Sequence, residues 1–194
     1  MDRFIKSIFS GSKKVKLETD INQYTFDPMK DFLDEGNYAK IYKAKNKNKQ
    51  TVILKILFSE SDFMQEVDCN LAVIKTLPES CSSRFICMLD YFENNQYEDF
   101  QYIIVFPYLR NYYSFDQIQN KMTQQQKVKM VSELTDLVDM LNKTGIVHND
   151  IHFGNIMVRL SPFDVKLIDL GNCLMSNDKS IVDKDRSMIE FFFK

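Results

Sequence analysis

The run His148-Asn149-Asp150-Ile151-His152-Phe153-Gly154-Asn155, followed by Lys166-Leu167-Ile168-Asp169-Leu170-Gly171, constrains this chain more than any other stretch. Two carboxylates and one amide stand on turns between apolar runs. Ile146-Val147 enters the first turn, Ile156-Met157-Val158 leaves it, and Val165-Lys166-Leu167-Ile168 enters the second. That order predicts a short strand, a polar loop, a β-hairpin and a second polar loop. Such a hairpin would hold Asp150, Asn155 and Asp169 side by side at one mouth.

The residue types suit phosphoryl transfer. Mg²⁺ prefers hard oxygen ligands, commonly one or two protein groups plus nucleotide phosphates. Asp169 and Asn155 can supply those oxygens, which leaves Asp150 to accept a proton from an attacking hydroxyl. The pattern H-x-D-x-x-x-x-N followed by D-x-G, carried by His148, Asp150, Asn155, Asp169 and Gly171, resembles the catalytic and metal-binding loops of the protein kinase superfamily. The resemblance implies an α+β fold of two lobes, with a small antiparallel sheet and one helix in the N-lobe and a reduced, mainly helical C-lobe. It also implies ATP and Mg²⁺ as cofactors, with Asn155 and Asp169 on the metal. Asp150, Lys55, Asn155 and His152 then form the catalytic set.

Upstream stretches take their meaning from that resemblance. Phe32 to Lys45 predicts strand, turn, strand; Asn46 to Gln50 is a polar hairpin turn; Thr51 to Leu57 is a third strand. The first turn resembles the glycine-rich loop that covers nucleotide phosphates. Gly36 is the one glycine kept there, since Asp34 and Ala39 hold the flanking glycine positions; Ile41 follows as a nucleotide-binding residue. Lys55, inside a Val/Ile/Leu run, resembles the strand lysine on the α- and β-phosphates. A helix over residues 62–77, with Phe63, Val67, Leu71 and Ile74 as its apolar stripe, offers Glu66 as that lysine's partner. Residues 85–91 and 102–106 predict two further strands. Phe106-Pro107-Tyr108-Leu109 resembles the hinge that holds adenine, with Phe106 at the back, the Pro107 carbonyl as acceptor and the Leu109 N–H as donor. Thr123 reads as the N-cap of a longer helix through Lys143, ended by Gly145. Val128, Val131, Leu134, Leu137, Val138 and Leu141 form its stripe.

Departures from the family pattern bear on function. Asn149 stands where most protein kinases carry the arginine that meets a phosphorylated activation loop. His152 replaces the usual lysine, and D-x-H-x-G-N also resembles small-molecule kinases of the aminoglycoside and choline type. Leu170 replaces the usual phenylalanine. Beyond Gly171 no activation segment or anchor motif is visible. A last apolar helix over residues 187–193 is expected, with Asp185 before it as the aspartate that tethers the catalytic loop.

These readings divide the chain into a leader, residues 1–22, and one truncated kinase-like domain, 23–194, whose N-lobe spans about 23–108 and C-lobe about 109–194. Phe4, Ile5, Ile8 and Phe9 could make an amphipathic turn in the leader. A net charge of −2 does not indicate a nucleic-acid-binding surface. No apolar run reaches the ~20 residues of a membrane span. The four cysteines, lacking any C-x-x-C pair, read as reduced thiols in a cytoplasmic protein. The expected partners are ATP and a protein, either a substrate or an activating or inhibited partner. The function expected is serine/threonine phosphorylation; a partner-binding kinase mimic and a small-molecule kinase are the alternatives.

Overall fold

The computed structural model describes residues 14–81, 83–176 and 178–193. They fall into two compact units, one of residues up to 63 with 88–108, the other of residues 64–87 with those from 109 onward.

The first unit is an antiparallel sheet. Its strands are β1 (Val15–Glu18), β2 (Gln23–Phe26), β3 (Phe32–Glu35), β4 (Ala39–Asn46), β5 (Thr51–Leu57), β6 (Asp90–Glu93) and β7 (Tyr102–Pro107). They lie in the order β1-β2-β4-β5-β7-β6, with β3 also paired to β4. Period-two alternation separates the two faces of the sheet. One face buries Tyr42, Ala44, Val52, Leu54, Ile56, Ile103 and Val105 beside Leu17, Tyr24, Phe26 and Phe100. Phe26, Tyr42 and Phe100 meet with ring centroids 5.0, 5.4 and 6.0 Å apart, an edge-biased arrangement that suits ring quadrupoles. The Tyr24 hydroxyl donates to Asp90 at 2.7 Å. The expected hairpin turn forms at Asn46–Gln50, where the Asn46 carboxamide oxygen accepts the N–H groups of Asn48 and Gln50 and Lys49 takes φ 63°. Of the expected leader, the amphipathic turn at Phe4–Phe9 lies outside the described residues. Val15–Glu18, within the same span, pairs with Gln23–Phe26 and buries Val15 and Leu17.

The second unit is mainly helical. Helix α1 (Glu60–Thr76) enters it from Met64 onward; α2 (Phe115–Ile118), α3 (Gln124–Asn142) and α4 (Lys179–Phe192) follow. Three short ladders complete it: β10 (Ile156–Leu160) pairs with β11 (Phe163–Leu167) and with β8 (Tyr113–Ser114), and β9 (Ile146–Val147) pairs with β12 (Leu174–Met175). Thr123 caps α3 as expected, accepting the Gln126 N–H while the Gln126 side chain returns to Thr123. Along α3, Leu134, Leu137, Val138 and Leu141 are fully buried. Met130 joins them in place of Val128, which is 63% exposed.

Four sequence expectations need correction. On α1 the buried face is Phe63, Glu66, Val67, Cys69, Asn70 and Val73, while Leu71 is 41% exposed. Neighbouring i, i+3/i+4 stripes satisfy the same periodicity, and packing selects between them. The strand expected at 85–91 begins only at Asp90. Before it Phe85, Cys87 and Met88 are buried outside any ladder, Leu89 is 59% exposed, and Phe85 makes single bridges to Cys81 and Leu167. The last helix begins at Lys179, with Asp178 accepting the Ser180 N–H at 2.9 Å, so Asp185 lies inside the helix and not before it.

The fourth correction concerns the cysteines. They are paired, Cys69 with Cys173 and Cys81 with Cys87, with Cα–Cα distances of 6.3 and 5.3 Å. Bridging depends on spatial approach, which spacing along the chain does not reveal. Disulfides persist in oxidising compartments, so the cytoplasmic placement read from unpaired thiols loses its support.

Candidate active site

The loop from His148 to Asn155 is positioned by β9, whose two residues are buried and paired to β12. Gly145, with φ 79°, turns the chain out of α3 into that strand, a conformation other residues adopt only with strain. His148 is wholly buried. Its Nε2–H donates to the Ile168 carbonyl at 2.9 Å, and burial pushes its pKa below the ordinary 6.5, so the ring is neutral. Asp185 tethers the same turn from α4, accepting the backbone N–H of His148 at 2.7 Å and of Asn149 at 2.8 Å. Burial pushes the Asp185 carboxyl up, against those two donors.

Asn149 takes φ 62°, a left-handed conformation that asparagine tolerates. The chain then presents the Asp150 side chain, which is 34% exposed. Asn155, only 7% exposed, donates its amide to the Asp150 carbonyl at 3.0 Å and to the carboxylate at 3.3 Å. Its own carbonyl accepts the Ile168 N–H at 3.0 Å, which seats it opposite the entry to Asp169 in the β10–β11 hairpin. Asp169 has φ 68°, and its Oδ1 accepts the Gly171 N–H at 3.1 Å. His152 accepts the Gly154 N–H on Nδ1 at 3.1 Å, so its Nε2 carries the proton; that atom lies 3.9 Å from Asp150 Oδ2. A Cβ on Gly154 would stand 2.9 Å from the His152 ring, so the ring keeps this position only beside a glycine.

This arrangement offers a cation hard oxygens. The Asn155 amide nitrogen is committed to Asp150, which leaves Oδ1 as the atom that can ligate, and Asp169 adds a carboxylate. The chemistry of that donor set fits Mg²⁺.

The remaining sequence candidates fall as follows. In the first unit, Lys55 sits on β5 with Ile41 and Ile104 as its cross-strand neighbours; Ile53, one step along the same face, lies between Lys43 and Phe106. This face points away from the unit's aromatic core, and Lys55 is 8% exposed. Pro107 closes β7 opposite Val52. Gly36 opens the β3–β4 turn, its N–H donating to the Ala39 carbonyl at 3.0 Å; a Cβ there would meet nothing within 4 Å. Asp34 turns its Oδ1 onto the Glu35 N–H at 2.9 Å. In the second unit, Glu66 is 1% exposed on α1, where its carbonyl accepts the Asn70 amide at 2.9 Å, and Leu109 follows the end of β7.

Sequence reasoning passed over Asn172. Its amide donates to Asp150 Oδ2 at 3.1 Å from 22 residues downstream. An asparagine after Asp-Leu-Gly reads as turn chemistry, and nothing local signals so distant a contact.

A comparison with curated proteins finds no match. The family model described as the protein kinase domain matches residues 29–188, which include both loops just described, Lys55, Glu66 and Asp185. By that match, over most of its length, the chain belongs to the protein kinase domain family.

Proposed function

We propose that this phosphotransferase of the protein kinase family transfers the γ-phosphate of ATP to a serine or threonine hydroxyl of a protein, with Mg²⁺ as its cation. The observation that carries the reading is the geometry of Asp150. Its carboxylate is partly open to solvent yet gripped by the Asn155 amide, as a group that must meet an incoming hydroxyl should be. In the step, the hydroxyl oxygen bonds to the γ-phosphorus, the bond to the ADP oxygen breaks, and the hydroxyl proton passes to Asp150. Asn155 and Asp169 would hold the cation, whose charge would offset that of the phosphates. Lys55 contributes its ammonium to the α- and β-phosphates. Gly36, Ile41, Glu66, Phe106, Pro107 and Leu109 complete the nucleotide-binding set. His152, fixed by the Gly154 N–H, holds its Nε2 3.9 Å from Asp150 Oδ2. Catalysis of this kind is mostly positioning plus electrostatics.

The test compares radiolabelled-ATP turnover and autophosphorylation in wild type, Asp150→Ala and Asp169→Asn. Asp150→Ala is expected to lower turnover about 10²- to 10⁴-fold while ATP–Mg²⁺ still raises the melting temperature by mass action. Equal turnover in the two proteins removes Asp150 from the base role. Absence of both a thermal shift and any turnover in wild type favours a partner-binding mimic. Turnover on small hydroxyl or amine compounds alone favours a small-molecule kinase.

A further inference from the structure

We infer that Asn172 is a positioning residue for phosphoryl transfer: it fixes the rotamer of Asp150 and so selects which carboxylate oxygen takes the proton. The inference rests on Asp150 being the base. Asp150 Oδ2 accepts two amide N–H groups, from Asn172 at 3.1 Å and Asn155 at 3.3 Å. A carboxylate can only accept, so each amide must turn its nitrogen toward it. Both donors converge on one oxygen, which leaves Oδ1 as the atom for the hydroxyl proton.

Asn172 is itself held in place. Its backbone carbonyl accepts the Asn149 side-chain amide at 3.0 Å, and the Asn149 carboxamide oxygen in turn accepts from Lys184 on α4. The residues around it are fixed on both sides. Gly171 N–H is held by Asp169, Cys173 N–H by the Leu170 carbonyl, Cys173 is bridged to Cys69, and Leu174–Met175 pairs with β9. The residue beside the base in sequence, Asn149, thus secures the residue that grips it from the second loop. Lys184, Asn149, Asn172 and Asp150 form one chain of contacts. Its order is built from neutral amides and one lysine.

A double-mutant cycle tests the inference, with kcat and KM measured for wild type, Asn172→Ala, Asp150→Asn and the pair. Asn172→Ala is expected to lower kcat about tenfold with KM for ATP unchanged, and Asn172→Gln to recover part of the loss. The double variant should be no slower than Asp150→Asn alone, because the amide acts through that carboxylate. A full-strength Asp150→Asn enzyme overturns the base assignment itself. A dead Asp150→Asn with an unchanged Asn172→Ala, or additive losses in the pair, overturns the role of Asn172 alone. Independently of turnover, the Asn172 side-chain amide resonances should shift on Asp150→Asn; unmoved resonances refute the contact.

Discussion

Asp185 accepts the backbone N–H of His148 at 2.7 Å across 37 residues of sequence, and its other oxygen accepts that of Asn149 at 2.8 Å. Asp185 and His148 are 1% and 0% exposed, so the His148 amide cannot turn to water instead. The left-handed Asn149 that aims Asp150 therefore depends on a carboxylate carried by another helix. Asp185→Ala should cost about 1–3 kcal/mol, since it strands the buried His148 N–H and takes away the acceptor of Asn149. Urea unfolding measures it, and a loss below about 0.5 kcal/mol, the usual range for surface changes, would mean that the loop holds its shape without the tether.

Acid should weaken the fold through His148. Burial sets its folded pKa below the unfolded value of 6.5, so the unfolded chain takes up the proton first. The contribution is whole above the unfolded pKa and is lost as pH falls through it. Asp185 carries the opposite sign: its pKa is raised, so its share grows only as pH descends into the carboxylate range. Melting temperature should therefore fall from about pH 8 to about pH 5.5, the span over which an unperturbed histidine charges. The His148→Phe variant should show a flatter profile over that span. A wild-type profile that rises toward acid contradicts the assignment.

Reduction should destabilise the second unit mainly through one bridge. Cys69–Cys173 closes a loop spanning 104 residues and Cys81–Cys87 one spanning 6. Constraint of the unfolded chain grows with loop length, to about 4–5 kcal/mol for a loop near 100 residues. Cys69→Ser is expected to lower the melting temperature nearly as far as dithiothreitol does in wild type, and Cys81→Ser much less. Mass spectrometry of the alkylated, unreduced protein should find no free thiol; four alkylated cysteines would refute the pairing.

The two loop glycines should behave differently on substitution. Gly36→Ala meets open space and should leave stability within about 0.5 kcal/mol of wild type, as surface changes do. Gly154→Ala drives a Cβ into the His152 imidazole and breaks its hydrogen bond from the Gly154 N–H. Its turnover should match that of His152→Ala, with the melting temperature little changed because His152 is 48% exposed and can swing away. A Gly154→Ala enzyme as fast as wild type would show that His152 needs no fixed orientation.

Much of the molecule could be read from neighbouring residues. Apolar runs broken by Asp, Asn and Gly located the β10–β11 hairpin and the turns that carry Asp150, Asn155 and Asp169. Thr123 marked the start of α3, and the apolar run around Lys55 marked β5. These features rest on backbone dihedral preference, side-chain periodicity and local hydrogen bonds, all of which act over a few residues. The tertiary structure alone decided which stripe of α1 is buried, that Phe85, Cys87 and Met88 are buried outside any ladder, that Cys69 meets Cys173, and that Asp185 and Asn172 reach the loop at 148–155 from 37 and 22 residues away. Each of those outcomes depends on which surfaces pack together, and packing joins residues whose separation along the chain carries no periodic signal.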